Sequence, residues 1–398
     1  MTKEKPIPRK EYFRKLVSMR DRTEIVKVIT GIRRCGKSTI MEQFREYLAS
    51  EGVPDTNIVA INFEFTGFLT VRTKEELLSL LIGRLAPSGT TYFLLDEIQN
   101  VEGWETVINA VRAEFDVSIY VTGSNSRILS GSLSTNLTGR FFEIRMLPMS
   151  LGEFMDLNEM SDPKAALRKY MTRGSLPVIH RDYTDADARE MLRDLFNSIL
   201  FKDILYASDI RDPVLLENIA MYLLDNIGNT VSPASISRYT GKDAGMIDRY
   251  LKLITGSYLF HRVDSYDLRG RKLLKTQAKY YCADIGIRHA LLGEQYGDTG
   301  RIMENLVFLE LIRRGYEVRV GKYGDREIDF AARKGADTIY YQVTMSLAAE
   351  YNLKREMEPF SAPKDHHRRV LITGDDVVKS SENGVEIVGL CDFLLGLD

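Results

Sequence analysis

Apolar stretches alternate with helix-like stretches over the first 150 residues of the 398-residue chain. The runs Ile25–Ile29, Thr91–Leu95 and Val117–Thr122 are rich in Val, Ile, Leu and aromatic residues. Such runs are typical of parallel strands that helices cover on both faces, and alternation with helices indicates crossover connections. The pattern therefore predicts an α/β domain built on a parallel sheet over residues 1–150.

The pattern of the chain changes after residue 150. Residues 151–213 are mostly helix-like, residues 214–297 predict three helices and two strands, and residues 298–398 predict a helix and three strands. The predicted strands of these regions are Tyr258–Val263, Lys275–Cys282, Glu317–Val320, Glu327–Ala332 and Thr338–Thr344. The sequence therefore predicts four domains, with boundaries after residues 150, 213 and 297.

A phosphate-binding loop follows the first apolar run. It consists of Gly31, Ile32, Arg33, Arg34, Cys35, Gly36, Lys37, Ser38 and Thr39, which match G-x-x-x-x-G-K-[ST] between a strand and a helix-like segment. The glycines let backbone N–H groups converge on phosphate oxygens at a helix N-terminus. Lys37 would contact the β- and γ-phosphates, and the Ser38 hydroxyl would ligate Mg²⁺. The loop predicts a P-loop domain that binds ATP and Mg²⁺, and the absence of an Asn-Lys-x-Asp motif favours ATP over GTP.

Two carboxylates end the strand that begins at Thr91. In a P-loop enzyme, the first acid at such a strand end completes the Mg²⁺ site, and Asp96 has that position. Glu97 would then polarise the water that attacks the γ-phosphate. Two solvated acids at the end of a strand are the alternative, but the upstream loop favours a hydrolytic site.

Polar residues after the third strand are further site candidates. Ser124 and Asn125 would face the ligand crevice and contact the γ-phosphate or the attacking water, although a polar turn that caps a helix explains them equally well. Arg140 is a candidate arginine finger that would act in trans on a second copy. A surface salt bridge is the alternative for Arg140, so both interpretations stay open.

The region 214–297 has the pattern of a winged helix. A helix–turn–helix segment is followed by a basic hairpin, which is typical of this fold. Arg249 and Lys252 of the third helix would approach the major groove of double-stranded DNA. The hairpin cations Arg269, Arg271 and Lys272 would contact phosphates. Asp243 and Asp248 reduce the positive charge of this surface, so a role in contacting another protein stays open as well.

Composition excludes several other classes of protein. The net charge of −2 gives no overall attraction to nucleic acid, so any DNA contact must come from a local patch. The three cysteines, Cys35, Cys282 and Cys391, are too far apart for a disulfide framework or metal motif. The N-terminus lacks an apolar signal core, and no run reaches the length of about 20 apolar residues that crosses a bilayer. These features favour the cytoplasm and predict no membrane contact.

The chain resembles the bacterial and archaeal AAA-type ATPases that carry a C-terminal domain of unknown function. The matching stretches are Gly31–Thr39, Leu94–Asn100 with Trp104, Thr122–Ser126, Thr138–Arg140 with Leu147–Ser150, Arg173–Pro177, Lys202–Ile204 with Asp209–Ile210, Arg249–Leu251, Lys279–Tyr281 and Asp284–Gly286. The resemblance covers nearly the whole chain. It implies an N-terminal P-loop NTPase sheet, a helical and winged-helix middle, and a nuclease-like C-terminal domain.

The C-terminal region resembles the restriction-endonuclease-like fold of the PD-(D/E)xK group. By this resemblance, Glu304 would be the acid that the fold places on a helix, and Asp329 would be the acid that binds the metal ion. The expected acid and lysine at the third position are replaced by Gln342 and Thr344. A neutral ligand and a missing cation leave this site without two groups that hydrolysis needs. The resemblance thus predicts a degenerate domain that does not cleave DNA.

The leading hypothesis from the sequence is a Mg²⁺-dependent ATPase whose turnover changes the conformation of its attached domains. A nucleotide-gated switch for a protein or DNA partner is the alternative from another class. An ATP-coupled nuclease is disfavoured by Gln342 and Thr344. An Arg140 finger in trans would require a homo-oligomer.

Overall fold

The computed structural model describes residues 9–124, 128, 139–180, 183–206, 208, 210, 212–270, 272–294, 297–348 and 350–398. The chain divides into two compact units, one formed by residues 1–147 and 256–258 and the other by residues 148–255 and 259–398. Each unit contains one sheet. No helix in the described ranges is both long and apolar enough to cross a membrane.

The first unit is built on a five-stranded parallel sheet. Its strands are β1 (Val26–Thr30), β2 (Ile58–Asn62), β3 (Thr91–Asp96), β4 (Val117–Gly123) and β5 (Phe141–Arg145). Their order across the sheet is β2-β3-β4-β1-β5, and every neighbouring pair is parallel. The α/β fold predicted for this region is confirmed.

Buried apolar strands explain the stability of this sheet. Every residue of β1, β3 and β4 is buried, as expected for strands with helices on both faces. The core on one face contains Phe63, Leu77, Trp104 and Ile119 together with strand residues. The helices among the described residues of the unit are Lys10–Ser18, Lys37–Ser50, Lys74–Ile82 and Trp104–Glu114, with short 3₁₀ turns at Asp55–Asn57, Thr66–Phe68 and Ile98–Asn100.

The second unit contains most of the helices in the described ranges. Their bounds are Leu151–Leu157, Pro163–Arg173, Asp185–Ser198, Pro213–Asp225, Pro233–Thr240, Ala244–Gly256, Ile285–Leu292, Thr299–Arg313, Glu350–Met357 and Leu390–Leu395, with a π-helix at Ile199–Leu205 and 3₁₀ turns at Pro177–Ile179 and Glu358–Ser361. Local sequence signals set several starts. Ser232 caps the helix that begins at Pro233, because its hydroxyl accepts from the Ser235 N–H.

A nine-stranded mixed sheet organises this unit. Its strands are β6 (Thr230–Val231), β7 (Phe260–Asp267), β8 (Lys272–Cys282), β9 (Glu317–Tyr323), β10 (Arg326–Lys334), β11 (Asp337–Thr344), β12 (Arg368–Thr373), β13 (Ser380–Glu382) and β14 (Val385–Gly389). The order is β13-β14-β12-β11-β10-β9-β7-β8-β6. The predicted C-terminal α/β region is confirmed as a mixed sheet with helices, while its restriction-endonuclease-like identity stays a prediction.

The predicted hairpin and the C-terminal strands belong to the same sheet. β7 pairs antiparallel with β8 and parallel with β9, with Ser265 opposite Val320. The predicted boundary after residue 297 therefore falls between strands of one sheet. The division into four domains stays a prediction, and the structure groups the chain into two compact units.

Candidate functional site

The loop Gly31–Thr39 connects the carboxyl end of β1 to the helix Lys37–Ser50. Gly31 has a φ of 141°, and a Cβ atom there would lie 2.2 Å from the carbonyl oxygen of Met146. Gly36 has a φ of 104°, in the region that favours glycine. The two motif glycines are thus required by backbone conformation and, at Gly31, by close contact.

Lys37 lies inside the loop, while the hydroxyls that follow it are exposed. The Lys37 side chain is buried, and its ammonium donates to the carbonyl oxygens of Gly31 at 2.9 Å and Ile32 at 3.1 Å. Ser38 and Thr39 are exposed at the first turn of the helix. This places a fixed cation, a helix N-terminus and accessible hydroxyls side by side, which is the arrangement that phosphate oxygens require.

Arg9, in the N-terminal segment, holds the loop Gly31–Thr39 in place through hydrogen bonds. Its guanidinium donates to the carbonyl oxygens of Cys35 at 2.9 Å and Leu147 at 2.7 Å. The Tyr12 hydroxyl accepts from the Leu147 N–H at 3.1 Å. Sequence reasoning did not find this contact, because the two ends of the Arg9–Leu147 bond are 138 residues apart.

Asp96 stands at the carboxyl end of β3, next to the end of β4. Its carboxylate accepts from the Asn62 amide at 2.7 Å and from the Thr122 hydroxyl. The same Thr122 oxygen accepts the Glu97 N–H at 3.0 Å. Thr122 thus holds the Asp96 carboxylate and the Glu97 backbone, and neither Asn62 nor Thr122 was identified from the sequence as a site residue.

Glu97 has an unusual backbone conformation. Its φ is 54°, in the left-handed region that glutamate rarely adopts, and Gln99 donates a hydrogen bond to its carboxylate. Burial raises the pKa of Glu97, and the positive charge of Lys37 opposes that rise. A non-glycine residue held in this region at the end of a strand is typical of a functional site.

The structure places two other predicted site residues, Ser124 and Arg140, at opposite ends of the first sheet. Ser124 is buried just after β4, and Asn125 lies outside the described residues. The carbonyl oxygen of Arg140 accepts from Val26 N–H at 2.9 Å, at the end of β1 opposite the loop. Four steps of about 3.3 Å separate the two ends of β1, so Arg140 is about 13 Å from the loop along the strand. A role of Arg140 at the loop would thus have to be in trans.

The C-terminal candidates Glu304 and Asp329 lie in one cluster with two residues not identified from the sequence. Lys279 on β8 contacts Glu304 and Glu327 at 2.8 Å each. The Gln342 side-chain oxygen accepts from the Asp329 N–H at 3.3 Å, and Thr344 is buried. The predicted acids are brought together, but the cation beside them comes from β8 and not from β11.

The basic residues of the predicted winged helix are on the surface. Arg249, Lys252, Arg269 and Lys272 are exposed, and Arg271 lies outside the described residues. Lys252 contacts Asp248 at 2.7 Å on the same helix. Such an exposed pair contributes little to stability but reduces the positive charge available to a phosphate.

Two family descriptions match separate parts of the chain. Residues 23–155 match an AAA domain, and residues 164–297 match a domain of unknown function (DUF8612). An uncharacterized protein of Haemophilus influenzae is 35% identical over 400 residues, covering 98% of each chain. An uncharacterized protein of Methanocaldococcus jannaschii is 27% identical over 355 residues, covering 84% of this chain and 78% of that protein.

Solved structures that are similar to this chain include two archaeal proteins. The Cdc6p protein of Pyrobaculum aerophilum shares 10% identity with a TM-score of 0.33, covering 77% of this chain and 96% of its own. The Orc1 protein of Aeropyrum pernix, solved in complex with DNA, shares 15% identity with a TM-score of 0.35, covering 73% and 94%.

Proposed function

We propose that this chain, which belongs to the same family as the uncharacterized Haemophilus influenzae protein, binds and hydrolyses ATP in its AAA domain. The supporting observation is the strand order β3-β4-β1. Because these strands are parallel, their carboxyl ends bring Asp96, Thr122 and the loop with Lys37 to one edge of the sheet. The charge of Lys37 acts on the pKa of Glu97, as expected for two groups at one site.

The residues at this edge fit Mg²⁺. Ser38 and Asp96 offer oxygen ligands, which this ion prefers, and the Ser38 side chain is exposed. When bound with ATP, Mg²⁺ neutralises charge on the phosphate oxygens. Lys37 would hold the β- and γ-phosphates, and the loop N–H groups would orient them. Glu97 would accept a proton from the attacking water, and its raised pKa makes it a stronger base than an ordinary glutamate.

Thr122→Val should impair hydrolysis while leaving the fold intact. Valine has nearly the same shape but cannot accept the Glu97 N–H or donate to Asp96. Loss of a group that orients a metal ligand costs about 10- to 100-fold in metal affinity or activity. The Mg²⁺ concentration for half-maximal ATP hydrolysis should therefore rise, or kcat should fall, by about that factor.

Thr90→Val is the matched control for that measurement. Thr90 precedes β3, and its hydroxyl donates to Asp116 at an exposed position. Its rates should match those of the unmodified protein. Unchanged Mg²⁺ dependence and kcat in Thr122→Val would exclude the positioning role of Thr122.

A second candidate function is a nucleotide-gated switch. The hydrogen bond from Gln99 to the Glu97 carboxylate favours it, because an engaged base slows hydrolysis until that bond is broken. In such a switch ATP would order a surface for a partner, and hydrolysis would reset it. The partner of such a switch would be another protein, whereas the exposed cations Arg249, Arg269 and Lys272 support double-stranded DNA as a partner of the ATPase.

The C-terminal domain is proposed to have no nuclease activity. Gln342 is neutral and bonded to the backbone of Asp329, and Thr344 supplies no cation. The proposal is tested with plasmid DNA and Mg²⁺. No cleavage is expected; cleavage that disappears in Asp329→Ala would overturn it.

Steady-state ATPase activity tests the main proposal. Turnover with Mg²⁺ should be measured with and without double-stranded DNA over a range of protein concentrations. Stimulation by DNA would support a DNA-directed ATPase, and slow turnover indifferent to DNA would support a switch for a protein partner. A specific activity that rises with protein concentration, and no longer rises in Arg140→Ala, would support an arginine finger in trans.

A further inference from the structure

A buried ammonium group stands among three carboxylates in the second unit. The Lys279 side chain is 5% exposed, and its Nζ lies 2.8 Å from Glu304 Oε1, 2.8 Å from Glu327 Oε1 and 3.9 Å from Asp329 Oδ1. Glu304 belongs to the helix Thr299–Arg313, and the other two acids belong to β10. We name these four residues the lysine–acid cluster.

The cluster needs positive charge to be stable. Three ionised carboxylates that are 12–29% exposed would repel each other strongly in a poorly solvated site. Lys279 contacts all three, and Lys322 also contacts Glu327. Although burial lowers the pKa of Lys279, the carboxylates raise it above its ordinary value, so the ammonium stays charged.

Hydrogen bonds complete the pairing of the cluster. Burial and the Glu304 carboxylate raise the pKa of Asp329 above its ordinary value. The Tyr281 hydroxyl donates to Glu304 at 2.6 Å, and the Val343 N–H donates to Asp329 at 2.9 Å. The buried polar atoms of the cluster are thus paired without an added ion.

Carboxylate oxygens such as those around Lys279 are also the ligands that Mg²⁺ and other hard divalent cations prefer. In the described part of the chain, no group of three or more His, Cys, Asp or Glu side chains has the arrangement of a metal site. We infer that the Lys279 ammonium takes the place of a divalent cation in the lysine–acid cluster, so that removing it converts the cluster into a site for Mn²⁺ or Mg²⁺. The inference does not depend on ATP hydrolysis.

Lys279 also connects separate parts of the sheet. It lies on β8, which the match to DUF8612 includes, while its partners lie beyond residue 297. Removing one partner of a buried ion pair is strongly destabilising because the remaining charge is uncompensated. A variant without the ammonium should therefore depend on an added cation for its stability.

The test uses full-length Lys279→Met without nucleotide. Its thermal unfolding midpoint in EDTA should fall below that of the unmodified protein. Saturating Mn²⁺, about a hundredfold above Kd, should raise it by about 5 °C or more. The unmodified protein and Lys279→Arg, which keeps the charge, should not respond to Mn²⁺. Lys334→Met is the matched control, because Lys334 is an exposed lysine whose ammonium donates to the Arg314 carbonyl oxygen.

A response of Lys279→Met to Mn²⁺ no larger than that of Lys334→Met would overturn the inference. If Lys279→Met does not fold, Mn²⁺ binding to the unmodified protein and to Glu304→Gln decides the question. Equal numbers of bound ions are expected, because the ammonium already fills the site. One fewer bound Mn²⁺ in Glu304→Gln would show that the cluster holds a metal alongside Lys279, and would overturn the inference.

Discussion

Lys37→Ala is expected to abolish measurable ATP hydrolysis and to weaken ATP binding about 10- to 100-fold. Hydrogen bonds to charged groups contribute about 1.5–3 kcal/mol, and tenfold in affinity corresponds to about 1.4 kcal/mol. Turnover should fall further than binding, because a cation aimed at the phosphates stabilises charge that develops in the transition state. Binding is measured by calorimetry with a non-hydrolysable ATP analogue, and turnover by phosphate release.

The control for Lys37→Ala is a lysine of the first unit that lies outside the proposed ATP site. Lys74 is exposed at the start of the helix Lys74–Ile82, so Lys74→Ala should bind and hydrolyse ATP as the unmodified protein does. Unfolding midpoints without nucleotide separate a folding defect from a binding defect, since Lys37 also donates to two loop carbonyls. Full turnover in folded Lys37→Ala would refute the proposed ATPase site.

Glu97→Gln should retain ATP binding and lose about 10²- to 10⁴-fold in kcat. Glutamine preserves size and hydrogen bonding but cannot accept the proton of the attacking water, and general base catalysis contributes a factor in this range. Because the loop and Lys37 are unchanged, the Kd for ATP should stay within a few-fold of its original value. The variant should therefore accumulate in the ATP-bound form, which a single-turnover experiment detects.

Glu64→Gln is the control for the loss of a nearby negative charge. Glu64 is exposed two residues after β2, and its charge contributes to the pKa of Glu97 through space. Its kcat should stay within a few-fold of that of the unmodified protein. Normal turnover in Glu97→Gln would show that another group activates the water.

Local patterns in the sequence were sufficient to predict most of the first sheet. The predicted runs at Ile25, Thr91 and Val117 fall within one residue of β1, β3 and β4 at their starts. These strands are buried on both faces, so their apolar runs are continuous. The strand β2 was not predicted, and with it the contact from Asn62 to Asp96 was missed.

Contacts between residues that are far apart along the chain could not be predicted from the sequence. The sequence predicted that Thr344 supplies no cation, but it did not predict that Lys279, on another strand and 25 residues from Glu304, contacts that acid. Which residues of β8 face the helix Thr299–Arg313 depends on strand register, and register follows from packing of the whole sheet. Arg140 was predicted from a local motif that contains no information on which end of β1 it would occupy.

The parallel pairing of β7 with β9 bears on how this protein can be divided for experiments. A fragment that ends at residue 297, where the match to DUF8612 ends, would lack β9–β14. β7 would then become an edge strand, with the side that pairs with β9 at Ser265–Asp267 left unpaired, and such edges promote aggregation. Lys279 would also be cut off from Glu304, Glu327 and Asp329. A fragment that keeps residues 148–398 together retains both the pairing of β7 with β9 and the contacts of Lys279 with the three acids.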